Sequence, residues 1–337
     1  MNVVNQLRQD SVRLSDVVPL ETPFTFNIIP NNYCDFKCVY CQQSLPKEEA
    51  EKVLGKKTHM SFETFKNAVD GMNNFKSKFK VFNFCGTGET ILTPDLPQMI
   101  AYAKEKNVAD RLNVVTNAYS LTKEKSNALI NAGLDSLRIS IQGLDAKQYK
   151  EMSNIDIDFD KLVQQIKYFY DNRKDCQVHI KIIDIALKQY TEQDFYNMFG
   201  DISTSIAVEY FVPNQQIASE KVNMRDRDIT VHGKEKKEVK VCFSAFYALT
   251  VFMNGEVAPC CIVNPPISLG NVNKMSVYNM WNSPKYRNFI KAQLKDRSKI
   301  KGCNECIRPQ NALQEGDNLD DYADEILKRI TDLEEGN

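Results

Sequence analysis

The stretch FTFNIIPNNYCDFKCVYC, residues 24–41, decides how the chain folds and what it can bind. Its first part is rich in aromatic and β-branched residues and predicts a strand over residues 24–29. Its second part places Cys34, Cys38 and Cys41 in the loop that follows. Three thiols this close suit neither a buried core nor disulfide pairing, whereas soft thiolates bind zinc, copper or iron–sulfur clusters. A cubane cluster on three thiolates keeps one iron open for a non-protein ligand, while a zinc site would need a fourth ligand from elsewhere.

The cysteine spacing, with Tyr40 directly before Cys41, resembles the signature of the radical S-adenosylmethionine (SAM) enzymes. That resemblance implies a SAM-binding 4Fe–4S cluster on Cys34, Cys38 and Cys41, whose open iron binds the amino and carboxylate groups of SAM. An electron from the reduced cluster then cleaves SAM to methionine and a 5′-deoxyadenosyl radical, which abstracts hydrogen from an unactivated C–H bond. The electron donor that the resemblance implies is a flavodoxin- or ferredoxin-type protein.

Strand and helix patterns alternate along the rest of the first two thirds of the chain. Further strands are predicted over residues 81–84, 112–116, 137–141, 178–185 and 206–212. Amphipathic helices separate them, including one capped by Ser61, one opened by Pro94 and one over residues 122–132. This alternation predicts an α/β fold with parallel strands, and the family resemblance implies the same partial (β/α)6 TIM-like barrel. Functional residues of such barrels lie at the carboxyl ends of the strands.

A glycine-rich segment, CGTGE over residues 85–89, follows the second predicted strand. Glycines let backbone approach a ligand closely, and a carboxylate can pair with an ammonium group, although a plain tight turn has the same pattern. The segment resembles the family motif that contacts the SAM amino group, with Thr90 where proline is common. The resemblance therefore assigns Gly86, Gly88 and Glu89 to SAM binding.

Polar residues also end the third and fourth predicted strands. Thr116 and Asn117 are positioned to reach a ligand there, and Ser140 and Gln142 can hydrogen-bond to ribose hydroxyls. Polar residues that merely terminate strands would give the same pattern. We expect these four side chains to complete the SAM site.

A second group of cysteines, Cys242, Cys260, Cys303 and Cys306, surrounds a predicted hairpin over residues 247–257. Four thiols suit either a tetrahedral zinc or a fully ligated iron–sulfur cluster, and their spacing alone does not decide between them. The segment resembles the SPASM/twitch extension of radical SAM enzymes, which implies an auxiliary 4Fe–4S cluster on these four cysteines. No cysteine follows Cys306, so the shorter twitch form is expected.

Composition is that of an ordinary globular chain. Its 337 residues, 42% hydrophobic and 26% charged, suffice for one large domain and a smaller one. A formal net charge of −1 gives no field that favours nucleic acid, and the longest apolar stretch, residues 243–253, is too short to cross a bilayer. We therefore expect a cytoplasmic protein without nucleic-acid or membrane partners. The expected divisions are a lead-in (residues 1–20), the radical SAM barrel (21–213), a linker (214–240), the twitch-type unit (241–310) and an acidic C-terminal helix (311–337).

The resemblance to twitch enzymes implies a small polar substrate such as a sugar, a nucleotide sugar or an aminocyclitol. Hydrogen abstraction from a hydroxyl-bearing carbon would be followed by electron transfer to the auxiliary cluster, giving oxidation, or by hydrogen return, giving an epimer. Cys261 is the candidate hydrogen donor, with Cys85 as a second thiol to test, although each is more commonly a small buried hydrophobic residue. Peptide modification is the first alternative, and a non-enzymatic zinc or electron-transfer protein is the second.

Overall fold

A single nine-stranded sheet organises the computed structural model, which describes residues 3, 12–212, 227–260 and 264–335. The strand order is β6-β5-β4-β3-β2-β1-β7-β8-β9, and the pairs from β6 to β7 are all parallel. The strands are β1 (Thr25–Ile28), β2 (Val81–Phe84), β3 (Leu112–Thr116), β4 (Ser136–Ile141), β5 (Gln177–Ile183), β6 (Ser205–Glu209), β7 (Ala248–Val251), β8 (Glu256–Ala258) and β9 (Gly270–Asn271). Because β6 and β9 are separate edges, the sheet is an open barrel, which confirms the expected fold class.

Helices connect the parallel strands, and some of them were predicted from the sequence. In chain order they are α1 (Leu14–Val17), α2 (Lys47–Leu54), α3 (Phe62–Asp70), α4 (Leu96–Lys106), α5 (Lys123–Asn131), α6 (Ala146–Ser153), α7 (Phe159–Asn172), α8 (Glu192–Phe199), α9 (Val277–Trp281), α10 (Pro284–Asp296), α11 (Arg308–Ala312) and α12 (Ala323–Glu335). Ser61 caps α3 by accepting a hydrogen bond from the Thr64 backbone N–H, as its position predicts. Pro94 was expected to open a helix, but α4 begins at Leu96 with Pro97 in its first turn.

The two faces of the sheet differ in chemistry. Phe82 and Phe84 of β2 are fully buried and stack near Phe65 of α3, with ring centroids 6.3 and 5.9 Å away. Alternate residues must point the other way, so Asn83 faces the concave side. Residues that are paired in register on neighbouring parallel strands point to the same face, so each strand continues this alternation. We call the concave side the lumen face.

The predicted hairpin forms, and it extends the barrel sheet. Strand β7 pairs in parallel with β1, and β8 returns antiparallel to β7 after a turn in which Gly255 has φ +83°. The residues after the barrel therefore share its sheet. The expected linker is described only from residue 227 onward, and Cys261 lies outside the described residues.

Helix α12 packs on the body of the protein through one apolar side. Ile326 and Ile330 are buried, whereas Leu333 is 57% exposed. Arg329 donates a hydrogen bond to the Ser15 carbonyl at 2.5 Å, so the C-terminal helix also holds α1. No helix in the described parts of the chain is long and apolar enough to cross a membrane.

Candidate functional site

Cys34, Cys38 and Cys41 lie in the loop that leaves the carboxyl end of β1, half-buried and without disulfide partners. Buried amides fix the start of this loop. The Asn31 side chain donates to the Glu89 carbonyl at 2.9 Å and to the Thr93 hydroxyl at 2.6 Å. These contacts place the cysteine loop against the loop after β2.

A lysine closes the other side of the cysteine loop. Lys57 Nζ donates to the Asn32 carbonyl at 2.5 Å and to the Gln43 side chain at 2.6 Å, and its charge interacts with Cys34 and Cys41. A cation beside thiolates stabilises their charged form. Against the rise that burial causes, Lys57 thus lowers the pKa of Cys41, whereas the negative charges of Glu89 and Asp35 raise that of Cys34 further.

The donor chemistry of the three thiols fits a thiolate-bound metal centre. Burial raises the pKa values of Cys34 and Cys41, and that of Cys38 to about 12, so these thiols need a cation to ionise. Within the described ranges, no three His, Cys, Asp or Glu side chains already converge as ligands for a metal ion.

The glycines of the second motif pack against the cysteine loop. A Cβ added at Gly88 would lie 2.3 Å from Asn31 Oδ1 and 2.6 Å from the Tyr33 carbonyl oxygen, and one at Gly86 would lie 2.7 Å from the Ile29 side chain. Contacts under 3.0 Å force neighbouring atoms to move. The two glycines thus pack closely against residues 29–33, directly before the cysteines, and their predicted contact with SAM stays a prediction.

Glu89 uses its carboxylate to join two loops. It accepts hydrogen bonds from the Thr116 hydroxyl at 2.6 Å, the Asn117 backbone N–H at 2.7 Å and the Ile91 backbone N–H at 3.0 Å. Glu89 and Thr116 are 4% and 3% exposed. Burial raises the pKa of Glu89 to about 7, although these three donors oppose the shift. The glutamate therefore holds the carboxyl ends of β2 and β3 together.

The remaining predicted SAM contacts also lie at this edge. The Asn117 side chain donates to Asp35 at 2.7 Å, and Gln142 accepts a hydrogen bond from the Tyr40 hydroxyl. Ser140 is half-exposed on the lumen face of β4. Four of the seven predicted cofactor contacts, Gly88, Glu89, Asn117 and Gln142, contact residues 31–40, and the other three, Gly86, Thr116 and Ser140, lie at or near the carboxyl ends of β2, β3 and β4.

Polar side chains line the lumen face below this edge. A ladder of amides crosses four strands: Asn113 donates to Asn83 at 3.0 Å, Asn83 to Asn27 at 2.9 Å, and Asn27 to the Thr250 hydroxyl at 3.2 Å. Beyond the ladder, the lumen face carries the charged or titratable residues Arg138, His179, Lys181 and Glu209. Arg111 lies directly before β3, and its charge acts on Arg138. The sequence analysis assigned none of these residues, because they become neighbours only through strand register.

Arg297, at the end of α10, joins two of the segments that carry the second cysteine group. Its Nη1 donates to the carbonyls of Cys303 and Cys306 at 2.7 and 3.1 Å, while its Nη2 donates to the Val239 carbonyl at 3.2 Å. Val239 lies three residues before Cys242, so one guanidinium joins the C-x-x-C turn to the segment that carries the first cysteine. Cys260 lies two residues after the end of β8, and the described residues form no disulfide with any of the four cysteines.

Gln293 of α10 is a further polar contact in this region. Its side chain is 1% exposed, and its Nε2 donates to Cys303 Sγ at 3.1 Å. A buried amide aimed at a sulfur is suited to a thiolate that carries a metal cluster. Sequence spacing gives no indication of Gln293 or Arg297, because both act from a helix outside the cysteine motif.

Family models match both halves of the chain. The model described as the radical SAM superfamily matches residues 28–202, just over half of the chain. The model described as an iron–sulfur cluster-binding domain, SPASM, matches residues 242–307 and ends directly after Cys306. The two matches contain the two cysteine groups.

Individual relatives are more distant. A probable GTP 3′,8-cyclase of Methanococcus maripaludis is 32% identical over 131 residues, which is 39% of this chain and 39% of that relative. Among solved structures, anSMEcpe with bound AdoMet has a TM-score of 0.58 at 15% identity, covering 94% of this chain and 96% of that one. BtrN in complex with AdoMet and 2-DOIA has a TM-score of 0.55 at 15% identity, covering 84% and 92%. At these identities the two solved structures show a shared fold.

Proposed function

Because this chain belongs to the radical SAM superfamily, we propose that it removes a hydrogen atom from a small polar substrate held on the lumen face. Its cofactors are SAM and two iron–sulfur clusters. The proposed outcome is oxidation or epimerisation at a hydroxyl-bearing carbon of a sugar, nucleotide sugar or aminocyclitol. A flavodoxin- or ferredoxin-type protein is the proposed electron donor.

The ligand sets follow from the two cysteine groups. The proposed ligands are Cys34, Cys38 and Cys41 for the SAM-binding 4Fe–4S cluster, and Cys242, Cys260, Cys303 and Cys306 for the auxiliary 4Fe–4S cluster. When bound, the first cluster supplies the electron that cleaves SAM, and the second supplies an electron acceptor. Gln293 and Arg297 hold the Cys303 side of the auxiliary set.

The chain's own residues bind and orient SAM in this proposal. Backbone of residues 86–88 approaches the SAM amino group, while Ser140 and Gln142 reach its ribose. Glu89 and Thr116 contribute by holding together the loops after β2 and β3, because the Thr116 hydroxyl donates a hydrogen bond to the Glu89 carboxylate. Asn117 fixes the cysteine loop through Asp35. The role of Cys261 as hydrogen donor stays a prediction.

The polar lumen face is the observation that carries the choice of substrate. Asn27, Asn83 and Thr250 form a hydrogen-bonded floor that suits hydroxyl and amide groups better than an apolar compound. The fold is shared with BtrN, solved with 2-DOIA, and the similarity to a probable GTP 3′,8-cyclase favours nucleotides among polar substrates.

Peptide modification is the second candidate. The fold is also shared with anSMEcpe, since the structure of that protein with the Cp18Cys peptide gives a TM-score of 0.55 with this chain. A peptide would have to place one side chain on the same polar floor. The two candidates differ in what stimulates the consumption of SAM.

A label-transfer assay separates these candidates. Reconstituted, reduced protein is incubated with SAM and with perdeuterated nucleotide sugars, aminocyclitols or peptides, and deuterium in 5′-deoxyadenosine is measured. We expect label from a sugar-type substrate. Oxidation removes one carbon-bound deuterium and one hydroxyl proton, so its product should be three mass units lighter than the perdeuterated substrate. Epimerisation replaces the abstracted deuterium by hydrogen, so its product should be one mass unit lighter. Label from peptides alone would overturn the proposed substrate class.

A further inference from the structure

Four buried polar atoms on or next to the lumen face have no hydrogen-bond partner in the described residues. They are Nε of Arg111, Nε of Arg138, Nε2 of His179 and Oδ1 of Asn113. His179 and Asn113 are each only 3% exposed. A buried polar atom without a partner costs about 1–3 kcal/mol, so four in one region indicate a group that the protein is built to receive.

Register brings the central members of this set side by side. Arg138 of β4 pairs with His179 of β5, and His179 pairs with Ser205 of β6. His179 Nδ1 lies 2.8 Å from the Ser205 hydroxyl, so its ring is held and its free Nε2 is oriented. Residues in register on neighbouring parallel strands share a face. The free nitrogen of His179 and the guanidinium of Arg138 therefore belong to one surface.

The charges of this surface do not balance. Lys181 and Glu209 form an ion pair of 2.6 Å, which leaves Arg111 and Arg138 without an ion pair in the described ranges. Burial lowers the pKa of His179 to about 4, with Arg138 and Lys181 adding to the shift, so its ring is neutral near pH 7. His232, which interacts with Glu209 and Lys181, is likewise shifted toward its neutral form, because burial lowers its pKa. Glu209 also attracts Arg138, so one carboxylate is shared between Arg138 and Lys181 and the surface keeps a net positive charge.

We propose that the lumen face binds an anionic group of the substrate, a phosphate or a carboxylate, through Arg138 with support from Arg111 and His179. A guanidinium fork matches either oxyanion, and a neutral imidazole can donate one more hydrogen bond. This inference rests on the proposed function and narrows it. An anionic nucleotide sugar fits the surface, whereas a cationic aminocyclitol would meet two positive charges.

The position of the site also sets the orientation of the substrate. Arg138 precedes Ser140 by two residues on β4, which is about 7 Å deeper in the barrel. The cysteine loop lies at the carboxyl edge of the sheet. An anion at Arg138 therefore lies between the amide ladder and the SAM site, and the rest of the substrate extends from it toward the SAM site.

Calorimetric titration of the reconstituted holoenzyme, saturated with SAM and without reductant, tests this proposal with inorganic phosphate and acetate as separate probes. We expect at least one probe to bind, and Arg138→Gln and Arg111→Gln to weaken its binding about tenfold or more. Stronger binding of phosphate assigns the site to a phosphorylated substrate, and stronger binding of acetate to a carboxylated one. Arg138→Lys, which keeps the charge and loses the fork, should fall between. Arg173→Gln is the matched control, since that guanidinium stacks on Tyr170 outside the lumen.

Three results would overturn the inference. The wild type could bind neither probe, the Arg138 and Arg111 variants could bind as the wild type does, or the probe could bind only when SAM is absent. The last result would assign the guanidinium to the carboxylate of SAM. Cleavage of SAM is measured separately on the wild type. Absence of cleavage would contradict the proposed function, whereas absence of anion binding would contradict only this inference. Thermal melts establish which variants are folded, and Arg138→Lys or Arg111→Gln carries the test if Arg138→Gln is not.

Discussion

Glu89 shows how one buried carboxylate can join two loops. The sequence assigns it to the SAM amino group by resemblance, and the structure surrounds it with donors from Ile91, Thr116 and Asn117. Burial raises its pKa to about 7, because desolvation disfavours the charged carboxylate more than the three donors favour it. At the scale of single residues, its clearest role is to join the loops after β2 and β3.

Glu89→Gln and Thr116→Val should therefore be strongly coupled. We expect Glu89→Gln to lower the free energy of unfolding by about 1–3 kcal/mol at pH 8, because one acceptor becomes a donor facing a donor. The double variant should cost about 1 kcal/mol less than the sum of the singles. Urea denaturation of the two singles and the double variant measures this, with exposed Glu105→Gln as the control. Additive losses would contradict a shared hydrogen bond.

The buried imidazole of His179 gives a dependence of stability on pH. Its pKa is lowered from 6.5 to about 4 in the folded protein, chiefly by burial. Between these values the unfolded chain binds a proton that the folded chain does not, so stability falls as the pH falls. Relative to His179→Gln, the wild type should lose up to about 3 kcal/mol of unfolding free energy between pH 7 and pH 4. Parallel stability profiles for the two proteins would refute this.

At the scale of elements, the sequence predicted most strand boundaries from local signals. It did not predict which strands pair when the partners are distant in the chain. Strands β2 and β3 coincide with the predicted residues, because aromatic and β-branched runs end at turn residues. The sixth strand ends at Glu209, earlier than the predicted residue 212, and helices α2 and α6 were not predicted. Both helices are short and charged, so their apolar periodicity is weak. The sequence could not predict the pairing of β7 with β1, because a hairpin pattern does not indicate which other strand lies beside the hairpin.

Helix α10 supplies the element-scale prediction through Gln293. Its side-chain N–H points at Cys303 Sγ from a site that is 1% exposed. Hydrogen bonds to cluster sulfurs are among the factors that set reduction potentials, and a donor favours the reduced state. In Gln293→Leu the midpoint potential of the auxiliary cluster should become more negative, while that of the SAM-binding cluster stays constant.

A redox titration followed by electron paramagnetic resonance measures both potentials in one sample. Gln164→Leu on α7 is the control, because Gln164 is exposed on a helix outside the second cysteine group. An unchanged auxiliary potential in Gln293→Leu would show that the amide does not act on the cluster. A shift of the SAM-binding potential alone would contradict the assignment of Cys303 to the auxiliary set.

At the scale of the whole molecule, the two cysteine groups and the barrel were accessible from sequence, whereas the lumen was not. Cys34, Cys38 and Cys41 lie within eight residues, so their common role is visible in the spacing. Arg138 and His179 come from different strands and meet only through register. A functional surface assembled from one residue per strand leaves no local pattern. This is why the family could be recognised while the substrate could not.

Cleavage of SAM by the whole protein tests the central claim most directly. Anaerobically reconstituted protein is reduced with dithionite and incubated with SAM, and 5′-deoxyadenosine and methionine are quantified. Cys38→Ala is the test variant, and Cys176→Ala is the control, because that buried thiol lies outside both cysteine groups. The wild type and Cys176→Ala should release the two products in equal amounts, and Cys38→Ala should release neither. Intact SAM with the wild type, or equal cleavage by Cys38→Ala, would contradict the account.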